Sequence, residues 1–413
     1  TENIIINKKL TLKGISEGNV TIKALDLSKT VLTVNSTGNG STIQYLTITG
    51  QTNMPVIFLD SADNCIITGN IVTNSTSHGI KLVNSNNSTI SDNTITNHSW
   101  YGIYSSSSHN NTISGNTFTN DLDGIHLCGG EGNKITRNNM DDGNFGIYLY
   151  ETTNCTVTNN TATNMQQNGI YLENSNYTIL SENTFKYNTQ NGICIRYSSN
   201  NRIIDNDITD NTYHGIYLHY SNGTNIITGN KIKNNNLNGI TLYYSSADIN
   251  YNIITGNTKY GLYNEGNGIA NATDNWWGTN FQGTDPITAG IVTDNVNTTT
   301  WLVLNVTSSC DRSNRNGTTY NTLVTADLTH NNQGKDTADD DCIPDDIPIN
   351  FVTNFGTITP VSTQCGRAET TLNCTESGIA NVTVTLDNQP IILLINVSSV
   401  NVLGICNIRT NLR

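Results

Sequence analysis

The sequence predicts an all-β protein, a right-handed parallel β-helix of about 11 coils of 22–24 residues followed by an Ig-like β-sandwich. Three observations predict it. A Gly-Ile-x-Leu phrase recurs as HGIKL, YGIYS, DGIHL, FGIYL, NGIYL, NGICI, HGIYL, NGITL and YGLYN, with glycines at Gly79, Gly102, Gly124, Gly146, Gly169, Gly192, Gly215, Gly239 and Gly261. A marker asparagine precedes each by eight or nine residues: Asn70, Asn93, Asn116, Asn138, Asn160, Asn183, Asn206, Asn230 and Asn252. From Trp301 the composition changes to alternating apolar and polar residues punctuated by turns. A fixed period in the low twenties is the mark of a solenoid, whose units bury their apolar faces only against each other.

The expected organisation is a solenoid over residues 1–285, a linker over 286–300 and a sandwich with a C-terminal tail over 301–413. The first two coils, NIIINKKLTLKG and STIQYLTITG, are less regular than the rest. Within a unit the segments are short, rich in Ile, Thr, Tyr and Val, and bounded by Asn-Gly and Ser-Asn turns, which reads as three strands per coil. The Leu-x-x-Leu-x-Leu frame of leucine-rich repeats is absent. In one coil Ile113, Phe118, Ile125 and Leu127 point inward; at ~2 kcal/mol each, their burial makes a coil dependent on its neighbours. The marker asparagines stack at ~4.8 Å and bond amide to amide. The repeat glycine supplies either a left-handed corner or a close backbone approach. The array ends near ATDNWWGTN, where Trp276 and Trp277 are expected to close the open coil.

Bulk composition narrows the function. Charged residues are 13%, Lys and Arg number 20, and the net charge is −13, so no basic groove for nucleic acid is visible. No apolar run approaches the ~20 residues that span a bilayer as a helix. A secretory leader is absent from the sequence, which is therefore expected to be a mature or trimmed form. The nine cysteines include no Cys-x-x-Cys and no zinc spacing, so no metal and no cofactor are expected. Sequons at Asn74, Asn87, Asn110, Asn154, Asn176, Asn222, Asn271, Asn305, Asn316 and Asn381 are candidate glycosylation sites and point to an extracellular setting, where disulfides persist. Cys65 and Cys155 share a column four coils apart, ~19 Å, which is too far to bridge. Cys128 and Cys194 lie in different columns. Cys365 and Cys374 flank one strand and cannot pair with each other while it stays extended. Pairings among Cys310, Cys342, Cys365, Cys374 and Cys406 otherwise stay open.

Many parallel β-helices cleave polysaccharides, and the nearest approach to such a centre is Asp205, Asp207 and Asp210 with Arg202 and His214. The residues equivalent to Asp207 in the adjoining coils are Thr184 and Lys231, so no second carboxylate stacks beside it, and no catalytic residue is expected. Two residues after each repeat glycine runs an outward column: Lys81, Tyr104, His126, Tyr148, Tyr171, Cys194, Tyr217, Thr241 and Tyr263. Tyr148, Tyr171, Tyr197, Tyr217, Tyr220, Tyr243 and Tyr244 are candidate ligand-binding residues, since stacked phenols make a platform for a sugar ring. The same stack also serves simply to stabilise the sheet face or to pack against another subunit. Glu173, Arg196 and His219 form a ladder in the next column, a weak interaction if exposed. The loop Asp336–Pro348 carries six aspartates without an EF-hand frame and reads as a solvated acidic loop.

The phrases DNWWGTN, WLVLNVT, TADLTHNN, IPDDIPINF, GTITP and VTVTLDNQP resemble the S-layer and adhesin-like surface proteins of methanogenic archaea. The resemblance covers nearly the whole chain and implies β-helix repeats joined to an invasin-type Ig-like module. It departs in the number of cysteines, which favours a covalently toughened wall component. It also implies that Thr1 is not the natural N-terminus. The expectation is therefore a non-enzymatic S-layer glycoprotein contacting copies of itself and cell-wall polymer or glycans. The alternatives are an adhesin binding glycans through the tyrosine columns and, third, a polysaccharide lyase or hydrolase.

Overall fold

The computed structural model describes residues 1–15, 20–310 and 320–397. It divides into two compact units: one comprising Thr1–Ile227, Ile232–Asp248 and Asn257–Ala270, the other Thr228–Lys231, Ile249–Gly256 and Asn271 onward. The first is a right-handed parallel β-helix. Three parallel sheets of 12, 12 and 11 strands run through the coils, here named A, B and C, and a complete coil contributes one strand to each. One coil shows the pattern: Thr112–Ser114 in sheet B, Thr117–Asp121 in sheet C, then Asp123–Cys128 in sheet A. Every strand pairs with its counterpart one coil away, as Tyr148 does with Tyr171 and Tyr171 with Cys194.

The interior follows from the alternation. Ile113, Phe118, Ile125 and Leu127 are each no more than 1% exposed. The marker asparagines form the expected ladder. Asn70 Nδ2 donates to Asn93 Oδ1 at 3.0 Å, and the same step runs through Asn116, Asn138, Asn160 and Asn183 to Asn206 at 2.9–3.0 Å. A further stretch links Asn230, Asn252 and Asn275. A second ladder, Asn188, Asn211, Asn235 and Asn257, follows sheet C.

The repeat glycine turns out to serve close approach rather than a left-handed corner. None of the nine has a positive φ. A Cβ on Gly192 would instead lie 2.4 Å from Ile208 Cγ2 and 2.9 Å from the Gly215 carbonyl of the next coil. The left-handed corner falls after the sheet A strand, where Glu151, Asn174, Tyr197, Tyr220 and Tyr244 have φ of 46–53°.

The second unit holds two antiparallel sheets. Leu302–Cys310, Tyr320–Asn331 and Arg367–Cys374 form one; Val361–Ser362, Pro348–Thr353, Gly378–Leu386 and Gln389–Val397 form the other. Leu304, Val324, Phe351, Val384 and Leu393 belong to its apolar core. Trp276 and Trp277 are both buried, and Trp276 makes a parallel bridge to Ile253, continuing the ladder as expected of a terminal cap.

Candidate functional site

The outer face of sheet A is where chemistry-bearing side chains collect. The alternation sends Ile and Leu of each strand inward and the residues between them outward, so one outward residue per coil stacks at ~4.8 Å. Tyr148, Tyr171, Cys194 and Tyr217 are successive members of one column, and Glu173, Arg196, His219 and Tyr243 of its neighbour. Between them lies a cleft of about 460 Å³ lined by Phe145, Tyr148, Tyr171, Cys194, Arg196, Tyr217 and His219, with Gln167, Asn168, Gln190 and Asn191 along one side.

The polar groups of the cleft are tied to one another. Arg196 Nη1 donates to the Tyr171 hydroxyl at 3.3 Å, and Arg196 Nε donates to His219 Nδ1 at 3.4 Å. That second bond leaves the His219 proton on Nε2, where it can donate outward. Burial and the adjacent guanidinium hold the His219 imidazole below the usual histidine range, so it is neutral at neutral pH. Burial pushes the Tyr171 phenol up to about 12, with Arg196 acting in opposition, and pushes Tyr217 to about 12 as well. The Tyr148 hydroxyl donates to Glu173 Oε2 at 2.7 Å, and burial together with that carboxylate raises its pKa. Cys194, buried between Tyr171 and Tyr217, is pushed up to about 12 by desolvation and is an inert thiol. On the amide side, Asn191 Nδ2 donates to Asn168 Oδ1 at 2.9 Å. The cleft therefore offers one fixed cation, three protonated phenols and a row of amides, with the Glu173 carboxylate at its edge, held by the Tyr148 hydroxyl.

Of the tyrosines singled out in the sequence, Tyr148, Tyr171 and Tyr217 line this cleft. Tyr243 stacks on His219 at its end, with ring centroids 4.9 Å apart and planes within 9°. Tyr197, Tyr220 and Tyr244 lie elsewhere, in an exposed stack at the corner leaving sheet A, with successive centroids 5.9 and 5.4 Å apart. The Asp207 constellation does not converge. Asp207 is on sheet C and pairs with Lys186 at 2.7 Å; Arg202 is on sheet B; and His214 packs against Tyr217 on the sheet A side.

The candidate glycosylation residues Asn74, Asn87, Asn110, Asn154, Asn222, Asn305 and Asn381 are exposed, Asn176 and Asn271 are half-buried, and Asn316 lies outside the described residues. Asn87, Asn110 and Asn154 sit at φ of 53–55°, so the fold itself requires a residue tolerant of the left-handed region there. Cys65, Cys128, Cys155, Cys194, Cys342, Cys365 and Cys374 are free thiols, while the Cys310 side chain and Cys406 lie outside the described residues. Among the described residues no group of three or more His, Cys, Asp or Glu could hold a metal ion, and none of the helices is long and apolar enough to cross a membrane.

The right-handed β-helix region family matches residues 31–164 and 123–276, which together make up more than half of the sequence. The chain belongs to the right-handed β-helix family. No curated protein matches it. Among solved structures, this β-helix protein is similar to the A-module of the mannuronan C-5 epimerase AlgE6 from Azotobacter vinelandii. That likeness has a TM-score of 0.55 at 15% identity and covers 65% of this chain and 84% of that one. It is also similar to the Dettilon tailspike protein, with a TM-score of 0.53 at 14% identity over 94% of this chain and 81% of that one. At these identities the likeness is one of fold.

These findings correct the expectation of a non-enzymatic S-layer protein, which receives no support; nor does the adhesin alternative. That expectation treated the repeat as chemically quiet. The same solenoid carries an epimerase module in another protein, and sheet A here presents a guanidinium, phenols and an imidazole in one cleft.

Proposed function

We propose that this β-helix protein binds an acidic polysaccharide in the sheet A cleft and modifies it by moving a proton at a carboxylate-bearing ring carbon. The observation that carries the reading is the guanidinium of Arg196, tied to Tyr171 and His219 inside a cleft walled by phenols. Phenol faces stack on pyranose rings, amides bond ring hydroxyls, and a guanidinium pairs with a carboxylate in fork geometry. Neutralising a uronate carboxylate acidifies the adjacent C–H, which is the step shared by epimerisation and β-elimination. Hydrolysis with paired carboxylates is disfavoured, because that chemistry needs two Asp or Glu flanking the bond and Glu173, bonded to the Tyr148 hydroxyl at the cleft edge, has no second carboxylate among the lining residues to pair with. The epimerase activity of a structural neighbour is consistent with the choice.

An extracellular setting is proposed with it, since the substrate is a cell-wall or matrix polymer and seven candidate sequon asparagines are exposed. The Ig-like nature of residues 301–413 is carried as part of the same proposal, supported by seven described strands in two antiparallel sheets.

The test is calorimetry and product analysis with a panel of polyuronides and neutral glycans. Arg196→Ala should weaken polyuronide binding by about 1.5–3 kcal/mol, the worth of a charged hydrogen bond, and leave neutral-glycan binding unchanged. If the wild-type chain binds no polyuronide, or Arg196→Ala binds as tightly as wild type, the reading is wrong.

A further inference from the structure

Two cysteines of the second unit sit where neither burial nor backbone preference asks for one. Cys365 is exposed and occupies a tight hairpin turn: Gln364 N donates to the Arg367 carbonyl at 2.7 Å, and Arg367 N to the Gln364 carbonyl at 3.0 Å. Between them Cys365 and Gly366 have φ of 45° and 76°, the paired left-handed residues of a type I′ turn, whose first position favours Asn, Asp or Gly. This chain repeatedly puts Asn at its left-handed corners, as at Asn87, Asn110 and Asn154, and here it puts a cysteine instead. Cys342 is half-buried in the acidic loop Asp336–Pro348. Cys65, Cys155 and Cys374, by contrast, are each 1% exposed and serve as small apolar side chains.

Backbone pairing brings the two together. Asp346 N donates to the Thr363 carbonyl at 2.9 Å, Thr363 N to the Ile347 carbonyl at 3.0 Å, and Thr363 Oγ1 to the Pro344 carbonyl at 3.2 Å. Cys365 N donates to Asp345 Oδ1 at 2.6 Å. The Cys342 and Cys365 thiols are hydrogen-bonded to each other, and burial together with that second thiol raises the Cys342 pKa. Both residues lie where the chain changes sheets. It leaves the sheet of Tyr320–Asn331 for that of Pro348–Thr353 by way of Cys342, and returns from Val361–Ser362 to Arg367–Cys374 by way of Cys365. A bond between the two sulfurs ties the outward crossing to the return.

We propose that Cys342 and Cys365 form a disulfide site, closed by exchange with a disulfide-bearing oxidant, that staples the two crossings of the second unit. Cys365, at the surface, meets the oxidant first. Its sulfur attacks one sulfur of the oxidant, the oxidant's S–S bond breaks, and a mixed disulfide remains while one thiol leaves with the Cys365 proton. Cys342 Sγ then attacks the Cys365 sulfur, and the other half of the oxidant leaves as a second thiol with the Cys342 proton. Two protein thiols are thereby oxidised to one disulfide, and the oxidant is reduced to two thiols. The closed loop spans about 24 residues and takes in two strands of the second sheet, so the link removes freedom chiefly from the unfolded chain. The site is independent of the sheet A cleft and of what that cleft binds.

The experiment compares the full chain in its reduced form with the same chain equilibrated with glutathione disulfide. After alkylation with iodoacetamide, chymotrypsin cuts at Phe351 and Phe355, between the two cysteines. Mass spectrometry should then find the Cys342 and Cys365 peptides joined in the oxidised sample and separately alkylated in the reduced one. In thermal unfolding the oxidised chain should show its second-unit transition roughly 10 °C above that of the reduced chain, and Cys342→Ser should abolish the difference. Cys365→Asn, which suits the turn, guards against a variant that merely misfolds: it should unfold at or above the reduced wild type and show no response to glutathione disulfide. Both cysteines alkylated after exposure to glutathione disulfide, or Cys365 joined instead to Cys310, Cys406 or a second chain, overturns the assignment. A joined pair with an unmoved transition overturns the stapling role.

Discussion

Asn183→Ala tests whether the asparagine ladder holds the solenoid together. Four hydrogen bonds depend on this side chain. Its Oδ1 accepts from Asn160 N at 2.9 Å and Asn160 Nδ2 at 3.0 Å, and its Nδ2 donates to the Val157 carbonyl and to Asn206 Oδ1, both at 2.9 Å. Two of the four partners keep other bonds: Asn160 Nδ2 also reaches the Ile135 carbonyl, and Asn206 Oδ1 still accepts from Asn183 N. The Asn160 backbone N–H loses its side-chain acceptor inside the fold, at a cost of ~1–3 kcal/mol, and the other losses bring the total to about 3 kcal/mol. Solenoids open locally, so a single unfolding free energy is a poor readout. Native-state amide exchange at Asn160 and its neighbours is a better one, and should accelerate roughly 100-fold for that loss. Asn139→Ala, at an exposed strand position, is the control and should shift stability by no more than about 0.5 kcal/mol. Equal exchange in the two variants would refute the argument that the ladder, rather than aliphatic burial alone, fixes the coil.

Gly192→Ala places a methyl group 2.4 Å from Ile208 Cγ2 and 2.9 Å from the Gly215 carbonyl; thermal unfolding should show a loss of about 1–3 kcal/mol, with weakened polymer binding because the next strand carries Cys194 and Arg196. Burial depresses His78 and His214 from 6.5 to about 4. The unfolded chain therefore binds protons first as the medium is acidified, and the stability each contributes above pH 6.5 is lost as pH falls through about 4. The loss should reach about 2–3 kcal/mol per histidine in urea titrations between those limits, and His78→Phe should flatten its share of the slope. Mass spectrometry after iodoacetamide at pH 8 should find Cys365, exposed at the surface, alkylated well before Cys194, which burial keeps protonated up to about 12.

The coil was legible in the sequence because its causes are local and repeated. Ile113, Phe118 and their equivalents alternate with polar residues, and Asn70 through Asn252 recur at the spacing that lets one amide bond the next. The tyrosine column was legible for the same reason. The glycine's role was only half legible, since whether Gly192 bends the chain or admits a neighbour depends on the coil above it. The Asp123–His126 pair was hidden: period-two alternation sends residues three apart to opposite faces, yet Asp123 Oδ2 and His126 Nδ1 meet at 3.0 Å. His98 and Asp121 were hidden more deeply. Their side chains are 0% and 1% exposed and meet at 2.8 Å inside the coil, where a hydropathy pattern would place neither. The functional expectation failed because it read regularity as inertness. Regularity belongs to the inward positions, and the outward ones vary freely from coil to coil.

A parallel stack also makes distance discrete. His126 and Arg196 are separated by three strand steps of ~4.8 Å, so removing a whole unit between them would shorten the gap by one step while every interior bond re-formed with the next unit. The protein in this sense carries a scale graduated in steps of ~4.8 Å, and excision or duplication of a single graduation would change the spacing of outward side chains without redesigning either end.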